Sequence, residues 1–235
     1  MNAADFASWI RHAADLVGAD TDRLTRLDAA IGDGDHGHNL HRGFRAAVES
    51  LPAVESLPAV ESLPAVESPP VESPPGAGPS DGIPPGKVLI AAGRAIVSKT
   101  GGASGPLYGT ALRRAGKALG DTADIDAAGL GAALRAALDG VRDLGKAVEG
   151  DKTMIDALAP AVAAYEAALA DGSALPACVR AAAGAAAEGA EATVPMQARK
   201  GRASYLGPRS VGHMDPGASS TALILRALSD VAGEG

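Results

Sequence analysis

The stretch FASWIRHAADLV, Phe6 to Val17, places Phe6, Trp9, Ile10, Ala13, Leu16 and Val17 at the i, i+3, i+4, i+7 spacing of an amphipathic helix. Leu24, Leu27 and Ile31 repeat that spacing after a polar start at Asp20 to Asp22, so the first two patterns fit two helices or one bent helix. Outward from there the same period recurs near 38–51, 87–99, 105–119, 125–145, 154–170, 176–190 and 218–232, with Gly or Pro between the segments. No segment reads as a convincing strand. Mostly short connections favour antiparallel neighbours, so the expected fold is all-α, a bundle or barrel of about eight antiparallel helices in one domain spanning 1–235.

Composition agrees. Of the 235 residues 46% are hydrophobic but only 3% aromatic, so a core must be assembled from Ala, Leu, Val and Ile. Small residues in that excess suit closely packed helices and nearly exclude an all-β fold. The formal charge of −7, from 21 basic and 28 acidic residues, leaves no general positive field for nucleic acid or an anionic membrane. The single cysteine, Cys178, lies in an alanine-rich stretch and reads as a buried small hydrophobe in a reducing compartment. Asp5 and Arg11 interrupt the apolar residues at the start, and nowhere is there a run of roughly 18 apolar residues, so a cytoplasmic protein is expected.

One segment departs from the helical period. From Leu51 to Ser68 the unit LPAVES occurs three times in tandem, followed by PPVES and a run through Pro74, Pro75, Pro79, Pro84 and Pro85. A six-residue unit with a proline in each copy is too short for a solenoid repeat, so residues 52–85 read as an insertion of polyproline character between two helices, the first copy continuing the preceding helix.

The densest chemistry lies in LDAAIGDGDHGHN, Leu27 to Asn39. Asp28 falls on the last turn of a helix, and Asp33 and Asp35 follow in a Gly-flanked loop that can aim both carboxylates one way. Three carboxylates this close repel one another unless a cation neutralises them, and oxygen-only ligands select hard Mg²⁺ or Ca²⁺. Gly32, Gly34 and Gly37 spell G-x-G-x-x-G, but they follow a helix, and Asp33 and Asp35 would meet the pyrophosphate of a dinucleotide. An EF-hand from Asp33 would need Glu where Phe44 stands. His36, His38 and His41 come near the H-x-H-x-D-H zinc cluster, with Leu40 in place of its aspartate, and stand as the main rival metal set.

Three further strings open helices. KTGGASGPLYGT, Lys99 to Thr110, puts side-chain-poor residues before a helix, where free N–H groups and the positive dipole end favour a phosphate. It lacks the Lys-Ser/Thr ending of a Walker A loop. GDKTM, Gly150 to Met154, offers Met154 as a cover for a nucleobase or as core. MQARKGRASYLGPRSVGHMDPGASST, Met196 to Thr221, concentrates Arg199, Lys200, Arg202 and Arg209 in an otherwise acidic chain and reads as a long functional loop.

Taken together, IGDGDHGHNLHRGF, GGASGPLYGT, GDKTM, MQARKGRASYLG and GHMDPGASS resemble the nucleotide-binding L subunits of dihydroxyacetone kinases, a domain also found at the C-terminus of single-chain ATP-dependent dihydroxyacetone kinases. The resemblance covers nearly the whole chain outside 52–85. It implies an eight-helix barrel that binds ADP or ATP at one end through two Mg²⁺ ions, which demotes zinc. Carried over by position, Asp28, Asp33 and Asp35 would be metal ligands. His36, Gly37, His38, Asn39, Ala103, Ser104, Gly145, Met154, Arg202, Asp215, Pro216 and Gly217 would contact nucleotide, with Arg202 also the catalytic residue. The implied partners are a K subunit that binds dihydroxyacetone and a phosphotransferase-system M subunit that rephosphorylates ADP in place; homodimerisation stays open. An ATP-dependent kinase of another small ketose and a regulatory nucleotide-binding module are the alternatives. The repeat insertion, Pro208 where the family often carries an acidic residue, and Met214 within GHMDPG depart from the family pattern.

Overall fold

The computed structural model describes residues 1–55 and 82–233, with the side chains of 52–55 left aside. Nine α-helices and one 3-10 helix make up the described residues, which contain no strand: α1 (Ala3–Ala19), α2 (Thr21–Ile31), α3 (His36–Glu55), α4 (Pro85–Lys99), α5 (Ser104–Leu119), α6 (Ala127–Gly145), α7 (Ile155–Ala170), α8 (Leu175–Ala192), a 3-10 helix (Arg202–Ser210) and α9 (Pro216–Gly233). The two N-terminal patterns are separate helices. Residues 202–210, expected within a loop, form the 3-10 helix around Pro208 and a Gly207 of positive φ.

Eight of these helices close a ring. Each of α3 to α9 packs on the next, and α1 completes the circuit between α9 and α3. The expected count of about eight therefore describes the barrel wall. The additional helix, α2, lies outside that circuit and packs on α3, α9 and the 3-10 helix. Alternating direction brings the N-termini of α3, α5, α7 and α9 to one end.

Local signals set the helix limits. Asn2 caps α1, its Oδ1 accepting from the N–H groups of Ala4 and Asp5 at 2.9 and 3.2 Å, while Asp5 Oδ2 accepts from Asn2 N–H at 2.7 Å. The apolar stripe of α1 is buried as its spacing predicts, with Phe6, Ile10, Ala13 and Val17 fully enclosed, and Trp9 Nε1 donates to the Ile224 carbonyl of α9 at 2.9 Å. Cys178 is buried, as expected of a small apolar residue.

Scarcity of aromatics becomes geometry between α4 and α5. A Cβ on Gly86 would stand 2.5 Å from the Gly116 carbonyl oxygen, and one on Gly93 2.7 Å from that of Gly109, so the two backbones touch at glycines seven residues apart. Only hydrogen at these positions permits that approach.

α3 runs through Pro52 to Glu55, so helix occupies part of the first LPAVES copy, and α4 begins at Pro85. The remainder of the expected insertion, residues 56–81, lies outside the described residues. Twenty residues of α3 span about 30 Å, so its Glu55 end lies at the far end of the barrel from His36.

Candidate functional site

Asp28 leaves the last turn of α2 largely buried, and its Oδ2 accepts backbone N–H groups from Asp35 at 2.8 Å and His36 at 3.1 Å. The carboxylate thereby folds the following loop back over itself. Gly32 is needed at the crossing, because a Cβ there would come within 2.2 Å of Asp28 Oδ1. The result gathers Asp28, Asp33 and Asp35 so that one ligand oxygen from each lies within 4.8 Å of the others. Among the described residues this is the one group of three or more His, Cys, Asp or Glu side chains able to hold a metal. Its all-oxygen donor set fits a hard divalent cation.

The histidine alternative does not assemble. His36 is buried in the cleft wall and both ring nitrogens are engaged, Nδ1 with Ser104 Oγ at 3.0 Å and Nε2 with Ser220 Oγ at 2.9 Å. Burial lowers its pKa against the pull of Asp28 and Asp35, which favours the neutral ring that such a donor and acceptor pair requires. His38 and His41 instead line a separate shallow depression with Arg42, Arg45 and Lys99.

Around the carboxylates opens a cleft of about 520 Å³, within the range of small-molecule sites. Four helix N-termini reach it through His36 of α3, Ser104 of α5, Ile155 of α7 and Pro216 of α9. Their first N–H groups lack intrahelical partners and carry the positive end of each helix dipole. The start of α5, within the Gly-rich string, has no side-chain cap. Leu107, Val141, Leu144 and Met154 supply an apolar wall. Arg202, exposed on the 3-10 helix, pairs through Nε with Asp33 Oδ2 at 2.9 Å at the mouth.

Of the residues singled out in the sequence, Asp28, Asp33, Asp35, His36, Ala103, Ser104, Gly145, Met154, Arg202, Asp215, Pro216 and Gly217 all line this cleft. Gly37, His38 and Asn39 do not. Gly37 packs where a Cβ would meet the Thr21 carbonyl oxygen at 2.1 Å, and Asn39 lies beneath the Gly-rich turn, 2.9 Å from the position of a Cβ on Gly101, and accepts from Arg42 at 2.6 Å.

Three buried groups escaped the sequence reading, Tyr108 and Lys152 in the cleft wall and Asp156 beside it. Tyr108 places its hydroxyl 2.7 Å from Ser220 Oγ and 2.9 Å from Thr221 Oγ1, which joins α5 to α9 beneath His36. Asp156 accepts from Gly150 N–H at 2.5 Å and Thr153 N–H at 2.8 Å, shaping the turn before α7. Lys152 also lines the cleft, 1% exposed. Asp215, near Asp156 and Lys152, is pushed up to about 7 by burial, although it accepts from Ala218 N–H at 2.7 Å. The string GDKTM held Lys152 and the string GGASGPLYGT held Tyr108, but no local pattern marked either as buried.

A closed ring of helices with a carboxylate loop at one end, beside a cleft walled by helix N-termini, defines a class of helical domain suited to an anionic ligand carried with a divalent cation. The chain belongs to the DAK2 domain family, whose model matches residues 80–230. It is 36% identical over 234 residues to the ADP-binding subunit of the PEP-dependent dihydroxyacetone kinase of Escherichia coli K12, covering 100% of this chain and 99% of that one. To the D-erythrulose kinase of Mycolicibacterium smegmatis it is 38% identical over 209 residues, 89% of this chain and 32% of the kinase. Among solved structures, the dihydroxyacetone kinase of C. freundii in complex with AMP-PNP and Mg²⁺ superposes with a TM-score of 0.66 at 26% identity, over 97% of this chain and 34% of that one. No helix among the described residues is long and apolar enough to cross a membrane.

Proposed function

We propose that this chain is the nucleotide-binding subunit of a dihydroxyacetone kinase, which holds ADP or ATP with two Mg²⁺ ions and delivers the phosphoryl group to dihydroxyacetone bound on a separate K subunit. The observation that carries this reading is the convergence of Asp28, Asp33 and Asp35 within 4.8 Å at the edge of a cleft walled by four helix N-termini. The three carboxylates would hold Mg²⁺, which supplies charge neutralisation at phosphate oxygens.

The chain's own residues account for the rest of the work. The start of α5 directs uncapped N–H groups and the Ser104 hydroxyl at the polyphosphate. His36, fixed by Ser220, holds that hydroxyl in place. Leu107, Val141, Leu144 and Met154 take the base and exclude water from it. Arg202 stands at the mouth, where its guanidinium offsets charge on the phosphoryl group as it leaves toward the second subunit. The carboxylates position metal and are not general bases.

An M subunit of the phosphotransferase system is the proposed donor, rephosphorylating ADP in place, in line with the PEP-dependent relatives. A second reading, an ATP-dependent kinase of another small ketose, is favoured by the equally similar erythrulose kinases. One assay separates them. Radiolabelled phosphate should reach dihydroxyacetone from phosphoenolpyruvate when general phosphotransferase proteins, an M subunit and a K subunit are supplied. Transfer from free ATP alone, or to erythrulose in preference to dihydroxyacetone, overturns the first reading in favour of the second.

A further inference from the structure

Lys152 is the most deeply buried cation among the described residues, 1% exposed, and it sits on a backbone of φ +62°, a left-handed conformation that is unfavourable for a side chain of this kind. An isolated ammonium in such a place is costly, and burial does lower its pKa against the pull of Asp215 and Asp156. What satisfies it is specific. Nζ donates to the Thr193 carbonyl just past the end of α8 at 2.7 Å, and to the His213 carbonyl in the strap leading to α9. Thr193 in turn uses Oγ1 to accept the Asp215 N–H at 2.9 Å. Two bonds from one ammonium thus fasten both sides of the segment that turns into the cleft as Asp215, Pro216 and Gly217.

We propose that Lys152 is a positioning residue for the bound nucleotide: it ties the end of α8 to the 211–215 strap and thereby sets Asp215–Gly217 against the ligand. The inference rests on the reading of the cleft as a nucleotide site. Strain and burial concentrated at a single lysine, two residues before the Met154 wall, match the pattern of local strain retained where geometry serves a site. A lysine kept only for stability would not need to join the two elements that frame the cleft.

The test uses the full chain and Mg-ADP as probe, with Lys152→Met, Lys152→Gln and Thr193→Val compared by titration calorimetry and thermal melting, and by kcat and KM in transfer with a K subunit. Lys152→Met removes every donor. Lys152→Gln keeps an amide that can donate to the two carbonyls, and Thr193→Val removes the hook on Asp215, with the hydroxyl's bond to the Ala190 carbonyl, while leaving the Lys152 bonds in place. The expected result is a rise of 10-fold or more in the Kd of Mg-ADP for Lys152→Met, with the loss in KM rather than in kcat at saturating nucleotide. Lys152→Gln should recover at least half of that loss on a logarithmic scale, and Thr193→Val should weaken binding in the same direction. Wild-type affinity, within twofold, in folded Lys152→Gln and Thr193→Val would make Lys152 a plain structural residue and overturn the proposal, whether or not Lys152→Met folds. Equal weakening in Lys152→Gln and Lys152→Met would also overturn it, because charge and not the tie would then be responsible. Failure of the wild-type chain to bind Mg-ADP would instead overturn the nucleotide reading itself.

Discussion

At Asp28 one carboxylate does two things: it accepts two backbone N–H groups that bend the loop, and it stands with Asp33 and Asp35 as a third oxygen donor of the proposed metal set. Asp33 is exposed, bends no loop and pairs with Arg202, so on the proposed reading Asp33→Ala should leave the fold intact while weakening Mg-dependent ADP binding on the order of 10-fold or more. Calorimetry with and without Mg²⁺ checks it, and an unchanged affinity in Mg²⁺ would remove the loop from the metal site. Asp215 yields a prediction of opposite kind. Its folded-state pKa of about 7 lies above the ordinary carboxylate value, so between about pH 4 and 7 the folded chain holds a proton that the unfolded chain has lost, and its contribution to stability falls as pH rises. Asp215→Asn should therefore gain stability relative to wild type across that window, by up to roughly 4 kcal/mol in the absence of nucleotide. Parallel pH–stability curves for the two proteins would show that the Asp215 carboxyl is not raised. The carboxylates were legible in the sequence because their mutual repulsion is a local fact. Which residues after them face the cleft was not, since each helical step turns the side chain by about 100°. His36 at the start of α3 enters the cleft, while Gly37, His38 and Asn39 turn to α2, to a separate depression and to the Gly-rich turn.

Helices were legible for the same local reason. Apolar spacing and Gly or Pro breaks marked the limits of α1 to α9 to within a few residues, and the break at Asp20 separates α1 from α2. Closure of the ring was not legible from spacing, because the period of a helix reveals its apolar face and not the helix that covers it. The 3-10 helix was missed because RASYLGPRS has no apolar period and contains Gly207 and Pro208. The glycine contact between α4 and α5 can be tested by two substitutions of the same chemistry and opposite sign. Gly116→Ala would put a Cβ 2.4 Å from the Gly86 carbonyl oxygen, and overpacking against backbone at about 1–3 kcal/mol exceeds the helix-propensity gain of about 1 kcal/mol. Gly184→Ala on α8 meets nothing within 4 Å and keeps the propensity gain alone. Urea unfolding should show the first destabilised and the second stabilised by about 1 kcal/mol. If both are stabilised, the α4–α5 pair is not in backbone contact.

At the scale of the whole molecule, the barrel has a charged working end and a remote end. Lys200 and Arg202 line the cleft at the first, and Arg199 and Arg209 lie in the same stretch of a chain of net charge −7, so an acidic or phosphorylated partner surface should approach there with an on-rate that falls as salt rises. Arg209 is exposed and outside the cleft lining. Arg209→Glu should therefore slow partner association in stopped-flow mixing while sparing ADP affinity, and an unchanged association rate would mean that the cluster serves the ligand's own phosphates. The described residues on either side of the LPAVES repeats stand at the other end. α3 carries the chain about 30 Å away from His36 before Glu55, and α4 starts at Pro85 and returns to Lys99 beside the Gly-rich turn. Both anchor points of the intervening segment thus stand remote from the carboxylates. Because loop-closure entropy changes only logarithmically with length, deleting Leu57 to Pro79 while leaving a short bridge should shift stability by about 1 kcal/mol or less and leave Mg-ADP affinity unchanged. Melting, calorimetry and K-subunit-dependent transfer on the deleted chain separate the outcomes. A large fall in melting temperature would make the repeats part of the packed domain, and normal melting with lost transfer would make them a docking element for the partner. Unaltered values in all three would show that neither folding, Mg-ADP binding nor transfer needs the repeats.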